Sequence, residues 1–124
     1  RILCMVPCFK ERIVDARAVA ETWGAKCDRL VLLADFDDAA MGAVKVDAQF
    51  SGTESLISKI GIGWELVHER HGEDYDWFVK ADTDSLIIVE NLRRYLLEET
   101  PQTDHDFVPQ YVGLRYKHGG FLAR

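Results

Sequence analysis

The stretch that decides the fold is residues 77–84, Trp-Phe-Val-Lys-Ala-Asp-Thr-Asp, where a short apolar run ends in two aspartates one residue apart. Such a run predicts a buried β-strand. In a strand, side chains at i and i+2 point the same way, so Asp82 and Asp84 can converge on one ion if the strand geometry persists that far. Carboxylate oxygens suit Mg²⁺ or Mn²⁺, ions that commonly hold nucleotide phosphates. The stretch therefore predicts a divalent-metal site at a strand end.

A purely structural role is the alternative for the same residues. Aspartate is common in turns, and Asp84 could simply cap the segment that follows. Lys80 lies two residues before Asp82 and shares its side of the strand. It either reaches a phosphate or forms a plain salt bridge with the acid pair.

The rest of the chain alternates apolar strands with amphipathic helices. We expect strands at 2–6, 30–34, 44–46, 77–81 and 107–112, and helices at 13–23, from 53 to about 67, and at 90–99. This alternation predicts an α/β fold, a mostly parallel sheet with crossover helices. In such sheets ligands bind beyond the carboxyl ends of the strands, which is where the two aspartates fall.

The spacing of apolar residues predicts which face of each helix meets the sheet. These positions are Ala16, Val19, Ala20 and Trp23 in the first helix, Ile57, Ile60, Trp64 and Val67 in the second, and Leu92, Tyr95 and Leu96 in the third. Gly24 is expected to form the C-terminal cap of the first helix. We expect Trp64 and Trp77 to lie in the core, because both occur within apolar periodic segments.

Composition describes an ordinary globular chain. Its 124 residues are 48% hydrophobic and 29% charged, which fits a single domain over 1–124. The net charge of −6 argues against a nucleic-acid-binding face. The chain opens in a strand and stops without a natural end, so we expect it to be part of a longer protein.

Three cysteines are present, none with the spacing of a structural zinc site. Cys4 lies in the first expected strand and Cys27 just before the second. If those strands are neighbours, a disulfide between them is geometrically feasible, and it would imply a secretory compartment. The alternative is that Cys4, Cys8 and Cys27 are three buried free thiols.

A family resemblance adds to these patterns. Residues 74–85, Asp-Tyr-Asp-Trp-Phe-Val-Lys-Ala-Asp-Thr-Asp-Ser, with Val-Glu-Asn-Leu at 89–92, closely resemble the signature of the core 1 β1,3-galactosyltransferases. These enzymes belong to the Fringe-like β1,3-glycosyltransferases, which have a GT-A fold. The segments 1–4 and 67–69 also resemble the family in order and spacing, and Lys59 falls where the family places a lysine.

The resemblance implies that the chain is a partial GT-A catalytic domain, its nucleotide-sugar-binding half. Asp84 would bind Mn²⁺ (or Mg²⁺) directly, and Asp82 would assist through the ribose or a metal-bound water. Thr83, Lys80 and Lys59 would complete the contacts to a UDP-sugar. The implied reaction is an inverting transfer of a hexose, expected to be galactose, to the 3-hydroxyl of an acceptor sugar, expected to be N-acetylgalactosamine on Ser or Thr of a glycoprotein.

The resemblance also implies features beyond the metal site. Cys4 and Cys27 match two family cysteines that are bridged. The family's catalytic base would lie past residue 124, so we expect these residues alone to be inactive. The parent protein would be a type II membrane protein of the Golgi or ER lumen, anchored outside this segment, and a homodimer is compatible with the family.

Two departures from the family pattern stand out. Thr83 replaces the middle acid of the family's triplet, and the loop at 7–12 does not resemble the family loop near the nucleotide. One alternative function is therefore a non-catalytic sugar-nucleotide-binding or chaperone-like relative. A more remote one is a Mg²⁺-dependent nucleotidyl or phosphoryl transfer site, suggested by the Asp-Thr-Asp-Ser motif of family B DNA polymerases.

Overall fold

The computed structural model describes residues 1–46, 53–99, 110–113, 117–118 and 121–122. Four strands form a parallel sheet in the order β3-β2-β1-β4: β1 (Ile2–Pro7), β2 (Arg29–Ala34), β3 (Ala43–Lys45) and β4 (Trp77–Lys80). Three helices connect or follow them: α1 (Ile13–Glu21), α2 (Thr53–His71) and α3 (Val89–Glu99). Two short antiparallel strands follow, β5 (Lys117–His118) and β6 (Phe121–Leu122). The predicted α/β fold is confirmed, and it is consistent with a partial GT-A-like domain.

Strand β1 lies at the centre of the sheet, and all six of its residues are buried. Because alternate side chains of a strand point to opposite faces, β1 contributes to two separate apolar layers. Cys4 and Val6 belong to the layer that contains buried residues of α1 and α3. Leu3 and Met5 belong to the layer that contains Val67 of α2. The sheet is therefore covered on both faces, as its unbroken apolar strands predict.

The predicted core-facing stripe of α2 is wrong in part. Val67 is buried, but Ile57 is 68% exposed and Trp64 is 37% exposed. The buried face instead carries Lys59 and Gly63. A Cβ on Gly63 would lie 2.0 Å from Cδ1 of Leu33, so the helix approaches the sheet more closely than any larger residue would allow. That close approach turns Trp64 toward solvent.

The other two helices follow the predicted faces more closely. Ala16, Val19 and Trp23 are buried, whereas Tyr95 of α3 is 46% exposed, contrary to the prediction. The role predicted for Gly24 is also wrong, since Thr22 is the C-cap of α1 and a 3₁₀ turn begins at Gly24. Gly24 is needed for packing, because a Cβ there would lie 2.7 Å from the carbonyl oxygen of Val19.

Two predicted strands differ from the structure at their ends or in their burial. Strand β4 is half-buried rather than buried, because it is one of the two edge strands of the sheet within the described residues. The strand predicted at 107–112 falls partly outside the described residues, and residues 110–113 have no regular secondary structure. That part of the prediction is wrong.

A disulfide joins Cys4 of β1 to Cys27, which directly precedes β2, with 6.1 Å between the two Cα atoms. The bond is possible because β1 and β2 are adjacent parallel strands. Cys8 is a buried free thiol. Burial raises the pKa of this thiol to about 11, because the thiolate is poorly solvated there; the positive charge of Lys59 lowers it only in part.

Beside this disulfide, Asp28 ties three segments together. Its Oδ2 accepts hydrogen bonds from Nη1 of Arg93 on α3, at 2.9 Å, and from the backbone N–H of Ile2, at 2.6 Å. The Arg93 hydrogen bond, followed by the Ile2 hydrogen bond, lowers the pKa of Asp28. The carboxylate form is therefore the one that the fold stabilises.

This arrangement predicts a pH-dependent contribution to stability. A carboxyl group whose pKa is lower in the folded state stabilises the fold above its unfolded-state pKa of about 4, and this stabilisation disappears as pH falls through the folded-state value. We expect Asp28→Asn to lower the free energy of unfolding by about 1 kcal/mol at pH 7, a value that allows for partial solvent exposure. The difference from wild type should shrink below about pH 4. Urea denaturation at pH 7 and below about pH 4 checks this prediction, with exposed Glu98→Gln as the control. A stability difference between wild type and Asp28→Asn that is the same at both pH values would contradict it.

Candidate functional site

The two aspartates of the sequence motif lie at the carboxyl end of β4, as predicted. Strand pairing continues through the hydrogen bond from the Ala81 N–H to the Met5 carbonyl, 3.1 Å. A turn follows at once, closed by the hydrogen bond from the Ser85 N–H to the Asp82 carbonyl, 3.0 Å. Asp82 and Asp84 are both exposed, and Thr83 between them is half-buried. The strand ends at Lys80, so the simple i, i+2 alternation does not orient the pair.

Lys80 forms a salt bridge with the first of these aspartates. Its Nζ lies 2.6 Å from Oδ1 of Asp82, and both side chains are partly exposed. An exposed pair of this kind contributes at most about 1 kcal/mol to stability. An incoming cation or phosphate can therefore compete with the contact, which leaves Lys80 and Asp82 available to a ligand.

The donor set suits a hard divalent ion that keeps much of its own hydration. Among the residues that the structure describes, no group of three or more His, Cys, Asp or Glu side chains could hold a metal ion. Mg²⁺ in nucleotide sites is typically held by one or two carboxylates, with phosphates and waters completing the shell. Asp82 and Asp84, exposed and carrying only oxygen donors, fit that mode of binding.

The loop after β1 lies beside this turn, because β1 and β4 are neighbouring strands. The Cys8 N–H donates to the Leu33 carbonyl, 2.9 Å, and the Lys10 N–H donates to Oδ1 of Asp35, 3.0 Å. The loop is thus attached to the end of β2 at two points. Asp35 directly follows β2 and is exposed.

Lys59 is buried beneath the same loop, with 1% of its surface exposed. Its Nζ donates to the Cys8 carbonyl, 3.0 Å, and lies 4.1 Å from the ring centroid of Phe9. Burial lowers the pKa of this ammonium, and the negative charge of Asp35 opposes that shift in part. Lys59 therefore supports the loop from below; a direct contact with the donor stays a prediction. The family resemblance singled out Lys59 in the sequence. Nothing in the sequence indicated that Cys8 and Phe9 are its partners.

The other acids of the loop after β2 serve as backbone acceptors. Oδ1 of Asp38 accepts from the N–H groups of Ala40 and Met41, at 3.1 and 3.3 Å, and Oδ1 of Asp37 accepts from the Lys45 N–H at 3.1 Å. These bonds hold the 3₁₀ turn at Ala39–Met41 and the last residue of β3 in place. They explain the acidic character of this loop without a metal ion.

Comparison with known proteins identifies a distant relative. No family model matches the chain. The chain is 25% identical, over 118 residues, to glycoprotein-N-acetylgalactosamine 3-beta-galactosyltransferase 1 of Xenopus laevis. The match covers 94% of this chain and 31% of that protein, so the chain spans about a third of the length of its relative. No helix within the described ranges is long and apolar enough to cross a membrane. The similarity suggests the core 1 galactosyltransferase family and supports a glycosyltransferase function.

Proposed function

We propose that this chain is the nucleotide-sugar-binding part of an inverting, UDP-sugar-dependent β1,3-glycosyltransferase. The observation that carries the proposal is the placement of Asp82 and Asp84, exposed at the carboxyl end of a strand in a parallel α/β sheet. Ligands of such sheets bind at that edge. The distant similarity to a galactosyltransferase supports the same class of reaction.

The residues at the carboxyl end of β4 and Lys59 of α2 each have a role in this proposal. Asp84 binds Mn²⁺ or Mg²⁺ directly, and Asp82 contributes through the ribose or a metal-bound water. The ion, when bound, would offset charge on the departing UDP. Lys80, now paired with Asp82 at 2.6 Å, can donate to a phosphate oxygen instead. Lys59 keeps the loop after β1 in a fixed position, so that this side of the nucleotide pocket is ordered before the donor arrives.

The donor sugar in this proposal is galactose, and the acceptor is N-acetylgalactosamine on a glycoprotein. The acceptor hydroxyl is deprotonated by a carboxylate base that is not among the residues discussed above. The disulfide between Cys4 and Cys27 fits an oxidising compartment, in agreement with a location in the ER or Golgi lumen.

One observation favours a second candidate, a relative that binds a nucleotide sugar without transferring it. Without a ligand, Lys80 pairs with Asp82, one of the two carboxylates proposed to serve the metal ion, and Thr83 supplies no further charge that would help the ion stabilise a departing UDP. Release of UDP from UDP-galactose, measured with and without an N-acetylgalactosamine acceptor, separates the candidates. Acceptor-dependent release by the full-length protein supports the enzyme, and binding without release supports the second candidate.

The nucleotide class itself is tested by calorimetric titration in the presence of Mn²⁺. We expect UDP and UDP-galactose to bind, and ADP to bind at least about tenfold more weakly, a difference of roughly 1.4 kcal/mol. Equal binding of UDP and ADP would contradict the proposal, as would failure of every nucleotide to bind.

A further inference from the structure

A cleft opens at the amino end of the sheet, opposite the end that carries Asp82 and Asp84. It lies where β2 starts and α2 ends. Its volume is about 300 Å³. Leu30, Val31 and Leu66 are among the residues that line it, and its cationic residues are Arg29, Arg70 and His71. Because β2 begins here, the cleft lies at the amino end of that strand, away from the carboxyl end that positions Asp35.

The cleft exists because β3 is short. The pairing of β2 with β3 begins at Leu32, which lies opposite Ala43. Within the described part of the chain, residues 29–31 therefore have no strand beside them on that side. Gly42, with a φ of 72°, allows the tight turn that leads into β3. It also packs closely against Leu30, because a Cβ at this position would lie 3.0 Å from the Leu30 carbonyl oxygen. The last turn of α2 covers the opening.

The charges around this cleft are unbalanced. None of the described residues that line it is acidic, although the chain as a whole has 21 acidic residues and a net charge of −6. Within the described residues, neither Arg29 nor Arg70 has a carboxylate within 4.0 Å. His71 has only a distant one, since its Nδ1 lies 3.8 Å from Oδ2 of Asp74.

The helix end explains only part of this arrangement. Cations in the last turn of a helix are stabilised by the helix dipole, which accounts for Arg70 and His71 on α2. Arg29 has no such reason to be there, because it opens a strand. Two different elements thus each contribute an arginine to the lining of the same cavity.

We propose that this cleft binds a small organic anion, in which a carboxylate or phosphate group is carried on a body the size of one sugar ring. Guanidinium groups bind such oxyanions through paired N–H donors. Val31 and Leu66, which lie in the same apolar layer, would pack against the body of the ligand. A volume of about 300 Å³ is at the lower end for ligand pockets, which limits the ligand to this size. The site requires no metal ion and does not depend on the function proposed above.

Binding is tested by NMR titration of the ¹⁵N-labelled protein at constant ionic strength, because screening alone alters surface electrostatics. The probes are glucuronate, glucose 6-phosphate and inorganic phosphate, with glucose as the neutral control. We expect saturable shifts of the Arg29, Leu30 and Arg70 amides with at least one sugar anion, and weaker shifts with inorganic phosphate, because it lacks the body. Whether the carboxylate or the phosphate sugar binds more tightly identifies the preferred oxyanion. The absence of saturable shifts, or equal binding of glucose, would overturn the proposal.

Paired variants separate a specific site from general electrostatics. The double variant Arg29→Gln, Arg70→Gln should weaken binding of the sugar anion at least about tenfold, because it removes the charge-assisted hydrogen bonds to the oxyanion. The control, Arg17→Gln, Arg94→Gln, removes the same charge from exposed positions of α1 and α3 and should change affinity less than about twofold. Equal losses in the two variants would overturn the proposal. So would a sugar anion that is displaced by UDP with Mn²⁺, because it would then occupy the other site.

Discussion

Replacing both Cys4 and Cys27 by alanine is expected to lower the free energy of unfolding by about 3 kcal/mol. The disulfide links residues 23 apart in sequence, and closing a loop of that size removes much conformational freedom from the unfolded chain. Both cysteines are buried, so loss of packing adds to the effect. For a chain with a single core, this is a large fraction of the total stability.

Urea denaturation under oxidising and reducing conditions measures this contribution. The reduced wild-type protein should unfold close to the double variant, and the variant itself should not respond to the reductant. Cys8→Ala is the matched control: it removes a buried thiol that forms no disulfide and keeps the Cys4–Cys27 bond, so the variant should still lose stability on reduction by as much as the wild type does. A double variant that stays within about 1 kcal/mol of the oxidised wild type would show that the disulfide is not a main source of stability.

The central strands could be predicted because their sequences leave few alternatives. The run at 30–34 is apolar without alternation, and in a short chain with intervening helices such runs indicate parallel strands covered on both faces. The neighbouring positions of β1 and β2 then made the bond between Cys4 and Cys27 feasible. The sequence left this pairing open, and only the family resemblance favoured it.

The face of α2 could not be predicted from apolar spacing alone. Periodicity favours Trp64 as a core residue, but Gly63 permits an approach to the sheet that no larger residue allows. In this arrangement Lys59 lies on the buried face of the helix. The Cys8 carbonyl and the face of the Phe9 ring accommodate the charge of the Lys59 ammonium. The hydrogen bond from Lys59 to the Cys8 carbonyl joins residues 51 apart in sequence. Local sequence patterns therefore contain no sign of these contacts.

The candidate site could likewise be predicted from the sequence only in part. The position of Asp82 and Asp84 at a strand end follows from the apolar run before them. Their local conformation does not, because the strand stops at Lys80 and a turn begins at Asp82. The salt bridge between Lys80 and Asp82 was one of two alternatives that the sequence left open, and the structure shows that it forms without a ligand.

Asp84→Asn is expected to reduce the affinity for UDP in the presence of Mn²⁺ by about 100-fold. Removing even a supporting partner of a metal ligand typically weakens metal binding 10- to 100-fold, and a direct ligand should reach the upper end of that range, about 2.7 kcal/mol. The substitution keeps the size of the side chain and removes its charge. Because Asp84 is exposed, the substitution should leave folding unchanged, and thermal unfolding of the variant checks this directly.

The control variant is Asp74→Asn, which removes an exposed carboxylate on the amino-end side of β4. It should bind UDP like the wild type. The most direct measurement is therefore the calorimetric titration of UDP into wild type, Asp84→Asn and Asp74→Asn, each with Mn²⁺ and with EDTA. The metal-dependent site predicts tight binding only for wild type and Asp74→Asn, and only with Mn²⁺. UDP binding that survives both EDTA and the loss of the Asp84 carboxylate would contradict it.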